Sequence, residues 1–307
     1  MMMKMPQIVS KEYFAQTRFL FHCHFKVKIP RDYGEDLLNA CFEIAEDIDL
    51  RYNSYQPDSF FSLINRNAGN WVDVDEDCVS LLKSLKLVSD LTAGCYDITC
   101  MPLIKLWGFY RKDNLTLPSF SDVQEVLKLV DYRKIEIDGC RVRIGVNQEI
   151  ITGSFIKAFA VDKVIAFLKE SGVTDAIVNA GGSSMRALND VSHASWKINF
   201  SHPISNISER LTIQNESFSL SGKSNNHLII RDKIYGHILN SNTGFPSATE
   251  QVGVVTSSAF LSDVLSTALH TVDSVDFVSV VESLSSHINF NYFRVEGDGR
   301  KFSDICF

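Results

Sequence analysis

Clustered positive charge is missing from this sequence: 30 Lys and Arg are scattered over 307 residues against 37 Asp and Glu, leaving a net charge of -7. A phosphate backbone selects grouped Lys and Arg, so nucleic acid is excluded as the main partner, and any bound anion must meet local positive groups. Long apolar runs are missing too. The opening Met-Met-Met-Lys-Met-Pro-Gln-Ile-Val-Ser lacks the core of a secretory signal, and no later stretch is long enough to span a bilayer. A cytoplasmic location without a membrane span is expected. The seven cysteines (Cys23, Cys41, Cys78, Cys95, Cys100, Cys140, Cys306) are odd in number and contain no Cys-x-x-Cys pair, so reduced thiols are expected. No repeat, low-complexity block or Pro-rich linker divides the chain.

What is present is ordinary globular material, 45% hydrophobic and 22% charged, with 21 Phe. The length allows two domains, but without a linker the reading is one α+β domain of intertwined lobes over residues 12–307, after a tail at 1–11. Alternation from Arg18 to Ile29 predicts one amphipathic strand with Phe19, Phe21, Cys23, Phe25, Val27 and Ile29 on one face. His22 and His24 fall on the other, where neighbouring lysines favour a solvated face over a metal site. Leu37, Leu38, Cys41, Ile44, Ala45 and Ile48 form a helical stripe. It is followed by a loop in which Tyr55 sits beside a proline turn, free to pack or to stack on a planar ring. Further helices are expected from Asp77 to Ala93, ended by Gly94, and from Ser121, capped with Gln124, to Val130. A hairpin turns at Asp138-Gly139. Ile150 to Ser154 is a strand end turning into a helix that stops at Gly172. Its Gly-Ser turn and Lys157 form a weak anion-binding signal. Strands are expected at Asp175–Ala180, Trp196–Phe200, Leu211–Leu220 and His227–Tyr235, then a helix at Ser274–Ser285 and a closing hairpin at Gly297-Asp298-Gly299.

The stretch from Tyr235 to Val272 organises the rest. A strand ends in the polar turn Asn240-Ser241-Asn242-Thr243-Gly244, closed by Pro246. A helix follows, capped by Ser257 or Ser258, with Leu261, Val264, Leu265, Ala268, Leu269 and Val272 at buried-face spacing. Asp263 and Thr267, four apart, share a face, where a carboxylate and a hydroxyl could hold a hard cation. An Asp suited to the helix dipole and a surface Thr would give the same pattern.

Several motifs, in order, resemble the ApbE family of FAD:protein FMN transferases: Ser54-Tyr55 through Asn65, Tyr96-Asp97-Ile98-Thr99 through Trp107-Gly108-Phe109, Lys157-Ala158-Phe159-Ala160-Val161-Asp162, Asn179-Ala180-Gly181-Gly182, Ser221-Gly222, His237-Ile238-Leu239 with Thr243-Gly244-Phe245-Pro246, and Asp263 through Leu269. They span almost the whole chain. The resemblance implies a T-fold-like single domain, a mostly antiparallel sheet packed by helices. It implies Mg²⁺-dependent transfer of FMN from FAD to a Thr or Ser hydroxyl of a partner protein, with AMP released. It implies Mg²⁺ on Ser154, Asp263 and Thr267, and FAD contacts from Tyr55, Cys95, Tyr96, Asp97, Lys157, Ile238 and Thr243. Asp263 and His237 are the catalytic candidates, His237 as the base because imidazole is half-available near neutral pH; a buried structural histidine is the alternative. The family pattern is broken at Ile151, Ser154, Ala158, Ser183, Lys223 and Asn240-Ser241, which together remove four carboxylates and bear on metal affinity, FAD orientation and turnover. Two other readings stay open: an FAD pyrophosphatase giving FMN and AMP, and a flavin-binding paralogue without catalysis.

Overall fold

The alternating stretch at the N-terminus folds back on itself. In a computed structural model, which describes residues 11–109, 116–204, 208–223 and 226–305, it forms two strands, β1 (Tyr13–Leu20) and β2 (Cys23–Pro30), joined by Phe21 and His22 at φ 52° and 57°. Phe19 therefore pairs with His24, not with the Phe25 face, and is 66% exposed. The single strand expected from Arg18 to Ile29 is corrected to a hairpin: a two-residue reversal swaps the face of everything before it while leaving the alternation in the sequence unbroken.

The helix α1 (Gly34–Tyr52) is followed by α2 (Phe60–Arg66), β3 (Val72–Asp73), α3 (Glu76–Leu91), α4 (Met101–Trp107), α5 (Phe120–Leu127), β4 (Glu136–Asp138) and β5 (Arg141–Arg143). Next come α6 (Ile156–Glu170), β6 (Ala176–Ala180), β7 (Ser184–Leu188), β8 (Trp196–Ser201), β9 (Ser208–Ile213) and β10 (Ser217–Gly222). After β11 (His227–Ile230), β12 (Lys233–Gly236), β13 (Leu239–Asn240), β14 (Phe245–Pro246) and β15 (Thr249–Thr256), the elements α7 (Ala259–Thr271), α8 (Phe277–Ser285), β16 (Asn291–Glu296) and β17 (Lys301–Ser303) end the chain. The helix expected to be capped by Ser121 instead starts from Ser119, whose side chain and backbone exchange hydrogen bonds with Asp122, a complete capping box directly after Pro118. The runs expected as Leu211–Leu220 and His227–Tyr235 each break in two, at Asn215 (φ 53°) and at Arg231-Asp232 (φ 50° and 62°).

One eight-stranded sheet, in the order β1-β2-β6-β7-β10-β15-β16-β17, is antiparallel at every pairing and takes strands from both ends of the chain. The fold is α+β. On one face α1, α3, α6 and α7 bury the main core, including Phe25, Phe42, Leu82, Phe155, Val161 and Leu265. On the other, β8 and β9 cover Phe218 and Phe293 with Trp196 and Phe200. A third cluster joins α4 and α5 to the β11–β12 hairpin through Leu103, Trp107, Val123, Leu228 and Ile230. Gly244 belongs to this contact: at φ 76°, with Val123 2.5 Å from where a Cβ would stand, it leaves room for glycine alone. Cys23, Cys41, Cys78, Cys95, Cys100 and Cys140 are free thiols. Among the described residues no helix is long and apolar enough to cross a membrane. Cys306 and the expected tail, apart from Lys11, lie outside the described residues.

Candidate active site

Helix α7 is buried on nearly every side, so a charge on it must be paired or face a cavity. Asp263, one turn from the Ser258 cap, is 2% exposed and does both. Its Oδ2 accepts from Lys157 Nζ at 2.6 Å, and both residues line a cavity of about 300 Å³ between the main core and the third cluster. Burial raises the Asp263 pKa above the ordinary carboxylate value, and the Lys157 charge opposes that shift. Ser184 sits close enough to favour the charged form, although its hydroxyl is outside hydrogen-bond geometry. Thr267 lies one turn further along, its hydroxyl 3.2 Å from that of Ser221 on β10. Ser154, at the entrance to α6, reaches the same cavity and hydrogen-bonds Tyr96 Oη at 2.9 Å.

His237, the residue after β12, lines the same cavity. Its Nδ1 lies 2.8 Å from the carbonyl oxygen of Asn226, which can only accept. Nδ1 therefore carries the proton and Nε2 keeps its lone pair. Burial lowers the His237 pKa below 6.5, the Asn226 carbonyl opposes this, and the Lys157 charge adds to it. The result is a neutral imidazole whose Nε2 is able to accept a proton. Asn226 was not picked out from the sequence. Pairing of His227 with Gly236 sets Asn226 opposite His237, a relation visible only once the Arg231-Asp232 turn is recognised.

The structure gathers Tyr96, Asp97, Ser154, Lys157, His237, Ile238, Asp263 and Thr267 around one cavity. Asp97 is there as a buried brace: its oxygens accept from the Thr99 amide and hydroxyl, both at 2.8 Å, and from the Tyr132 amide at 2.7 Å. Tyr55, Cys95 and Thr243 are not part of the cavity wall. Tyr55 meets His22 edge-on at 5.5 Å, the Cys95 sulfur accepts from Asn242 at 3.4 Å, and Thr243 shapes its own turn by accepting from the Phe245 amide at 3.3 Å.

The candidate donors on the cavity wall are the Asp263 carboxylate and the hydroxyls of Thr267 and Ser154, all oxygen. Among the described residues no three His, Cys, Asp or Glu side chains gather as a metal group. Such a set fits a hard divalent cation that draws its remaining ligands from phosphate or water, and does not fit a soft metal.

Residues 21–290 match the model of the ApbE family. The chain belongs to the ApbE family. Relatives include the FAD:protein FMN transferase of Klebsiella pneumoniae, 24% identical over 77% of this chain and 76% of that one, and that of Chlamydia pneumoniae, 26% identical over 77% and 76%. The ApbE protein of Thermotoga maritima superposes with a TM-score of 0.86 at 24% identity, covering 95% of this chain and 97% of that one. The apo flavinyl transferase ApbE of Pseudomonas stutzeri gives 0.81 at 24% identity, covering 95% of each.

Within this ApbE fold four of the departures have local physical accounts. Asn240, where the motif has an acid, donates its amide to the Thr271 carbonyl at 3.0 Å and accepts the Asn242 amide at 2.9 Å, so it closes the end of α7 as a carboxylate cannot. Lys223 pairs with Glu250 at 2.8 Å and is not part of the cavity wall. Ile151 extends the third apolar cluster to the cavity. Ser183 leaves a neutral hydroxyl at the wall.

Proposed function

We propose that the protein transfers FMN from FAD to a Thr or Ser hydroxyl of a partner protein with the help of Mg²⁺. The observation that carries this reading is a neutral, oriented His237 lining the same cavity as Asp263, Thr267 and Ser154. A divalent cation held by Asp263, Thr267 and Ser154 would neutralise the pyrophosphate and the charge developing on the leaving phosphate. Lys157 adds positive charge at the first turn of α6, where an anion is already favoured. His237 takes the proton of the attacking hydroxyl on Nε2. A new bond forms between that oxygen and the flavin-side phosphorus, the pyrophosphate P–O bond breaks, and AMP leaves with the bridging oxygen. The apolar wall from Ile98, Ile104, Ile151 and Ile238 keeps water from competing as the acceptor.

The test is to incubate the protein with FAD, Mg²⁺ and a flavinylation-target domain, weigh the target, and separate the nucleotides. An FMN-sized mass gain with one AMP per transfer, abolished in D263A, is expected. Free FMN with AMP and no mass gain would replace the transferase by a pyrophosphatase. Tight FAD binding with neither product would reduce the protein to a flavin-binding paralogue.

A further inference from the structure

Asp263 does not wait in the cavity as a bare ligand. Its carboxylate already holds a cation, the ammonium of Lys157, at 2.6 Å, with side chains 3% and 17% exposed. The ammonium occupies Oδ2, and a divalent ion on that same oxygen would be brought against it as a like charge. A divalent ion that takes this oxygen displaces the lysine. Lysine suits such an exchange, since its charge is a compact point on a flexible stem, whereas an arginine fork would be fixed in place.

We propose that Lys157 is an internal stand-in for the metal, neutralising Asp263 in the metal-free protein and moving from the carboxylate to the dinucleotide pyrophosphate when the divalent ion binds. This rests on reading the cavity as a metal–FAD site. Both destinations lie in the same cavity, because Lys157, Asp263, Thr267 and Ser154 all line it. The charges balance in each state. Without metal, Asp263 and Lys157 cancel; with it, the three groups carry two positive charges, matching the two negative charges of a pyrophosphate diester. Moving Lys157 off a buried carboxylate is costly when the ammonium has nowhere to go, and much less so when phosphate receives it. Metal and FAD therefore bind with positive coupling, each strengthening the other by the same factor.

The experiment uses the full chain and Mn²⁺ as the probe, with free Mn²⁺ read by its electron paramagnetic resonance signal at mildly alkaline pH, with and without saturating FAD. K157M is compared with wild type and K157R, D263N serves as the blank, and thermal unfolding checks that each variant folds. K157Q carries the same comparison should K157M not fold. K157M is expected to bind Mn²⁺ alone about tenfold more tightly than wild type. FAD should strengthen Mn²⁺ binding clearly in wild type and little in K157M. Equal or weaker Mn²⁺ affinity in K157M, with FAD still strengthening binding in wild type, would overturn the stand-in while leaving the metal–FAD site intact. No Mn²⁺ binding by any of the proteins, even with FAD, would overturn the metal site and the stand-in with it.

Discussion

The Ser258 hydroxyl donates to Oδ2 of Asp162 at 2.7 Å, and the amides of Ala259 and Phe260 donate to the same carboxylate at 2.9 Å each. A carboxylate from α6 thus caps the N-terminus of α7, with Arg186 of β7 balancing its charge. Because Lys157 and Asp162 ride on one helix, the cap also sets Lys157 against Asp263. Replacing Asp162 by Ala should cost about 3 kcal/mol, leaving three donors and a guanidinium unpaired. Urea denaturation measures this; D162N, which keeps an acceptor oxygen, should lose less, and a loss below about 1 kcal/mol in D162A would deny the cap a structural role.

The lowered pKa of His237 fixes the sign of a pH profile. A base works only when deprotonated, so transfer should be flat through neutral pH and decline only below the ordinary histidine value of about 6.5. H237A should lower kcat by about 10²–10⁴-fold while leaving FAD affinity within a few-fold of wild type. An unchanged kcat would return His237 to a structural role.

His270, on the last turn of α7, is 1% exposed with neither ring nitrogen hydrogen-bonded, and burial, aided by the charge of Arg294, pushes its pKa down to about 3. The unfolded chain takes up that proton near pH 6.5, while the folded one refuses it until about 3. Stability is therefore complete above 6.5 and is lost as the pH falls through this window, by up to about 1.4 kcal/mol per unit for the one proton. Denaturation midpoints for wild type and H270F between pH 7 and 4 would show it. The phenylalanine variant should have the flatter curve, and parallel curves would exclude His270 as the source.

Restoring the motif acid at one departure should do harm. N240D removes the amide that donates to Thr271 and brings a carboxylate against a carbonyl at the negative end of α7. A loss of about 1–3 kcal/mol in thermal or chemical unfolding is expected. A variant as stable as wild type would mean that the turn does not depend on the amide.

The longer helices were legible because their buried faces repeat at a spacing no strand shares, as at Leu38, Cys41, Ala45 and Ile48 of α1 or Val264, Ala268 and Leu269 of α7, whereas the short α4 was not expected. Asp263, Thr267 and Lys157 came with them, since a helix fixes which residues share a face. Reversals within runs that alternate without interruption were not legible, even at Asn215, whose residue type favours left-handed backbone. Phe21-His22 and Arg231-Asp232 adopt left-handed backbone with neither Gly nor Asn, so Phe19 was put on the wrong face and the brace from Asn226 to His237 was missed. The Lys157–Asp263 ion pair spans 106 residues and depends on how two helices pack, which no local pattern encodes.

The pairing of β2 with β6 has a consequence for how the chain is made. The N-terminal hairpin leaves the ribosome early, but the strand that covers its inner edge begins roughly 150 residues later. At about 5–20 residues per second, that edge waits some 8–30 seconds for its neighbour. The walls of the cavity, drawn from Tyr96 through Thr271, close later still. Nascent chains of this protein should thus depend on a holding chaperone during elongation, and slowing translation between Pro30 and Ala176 should lower soluble yield more than slowing it after Thr271.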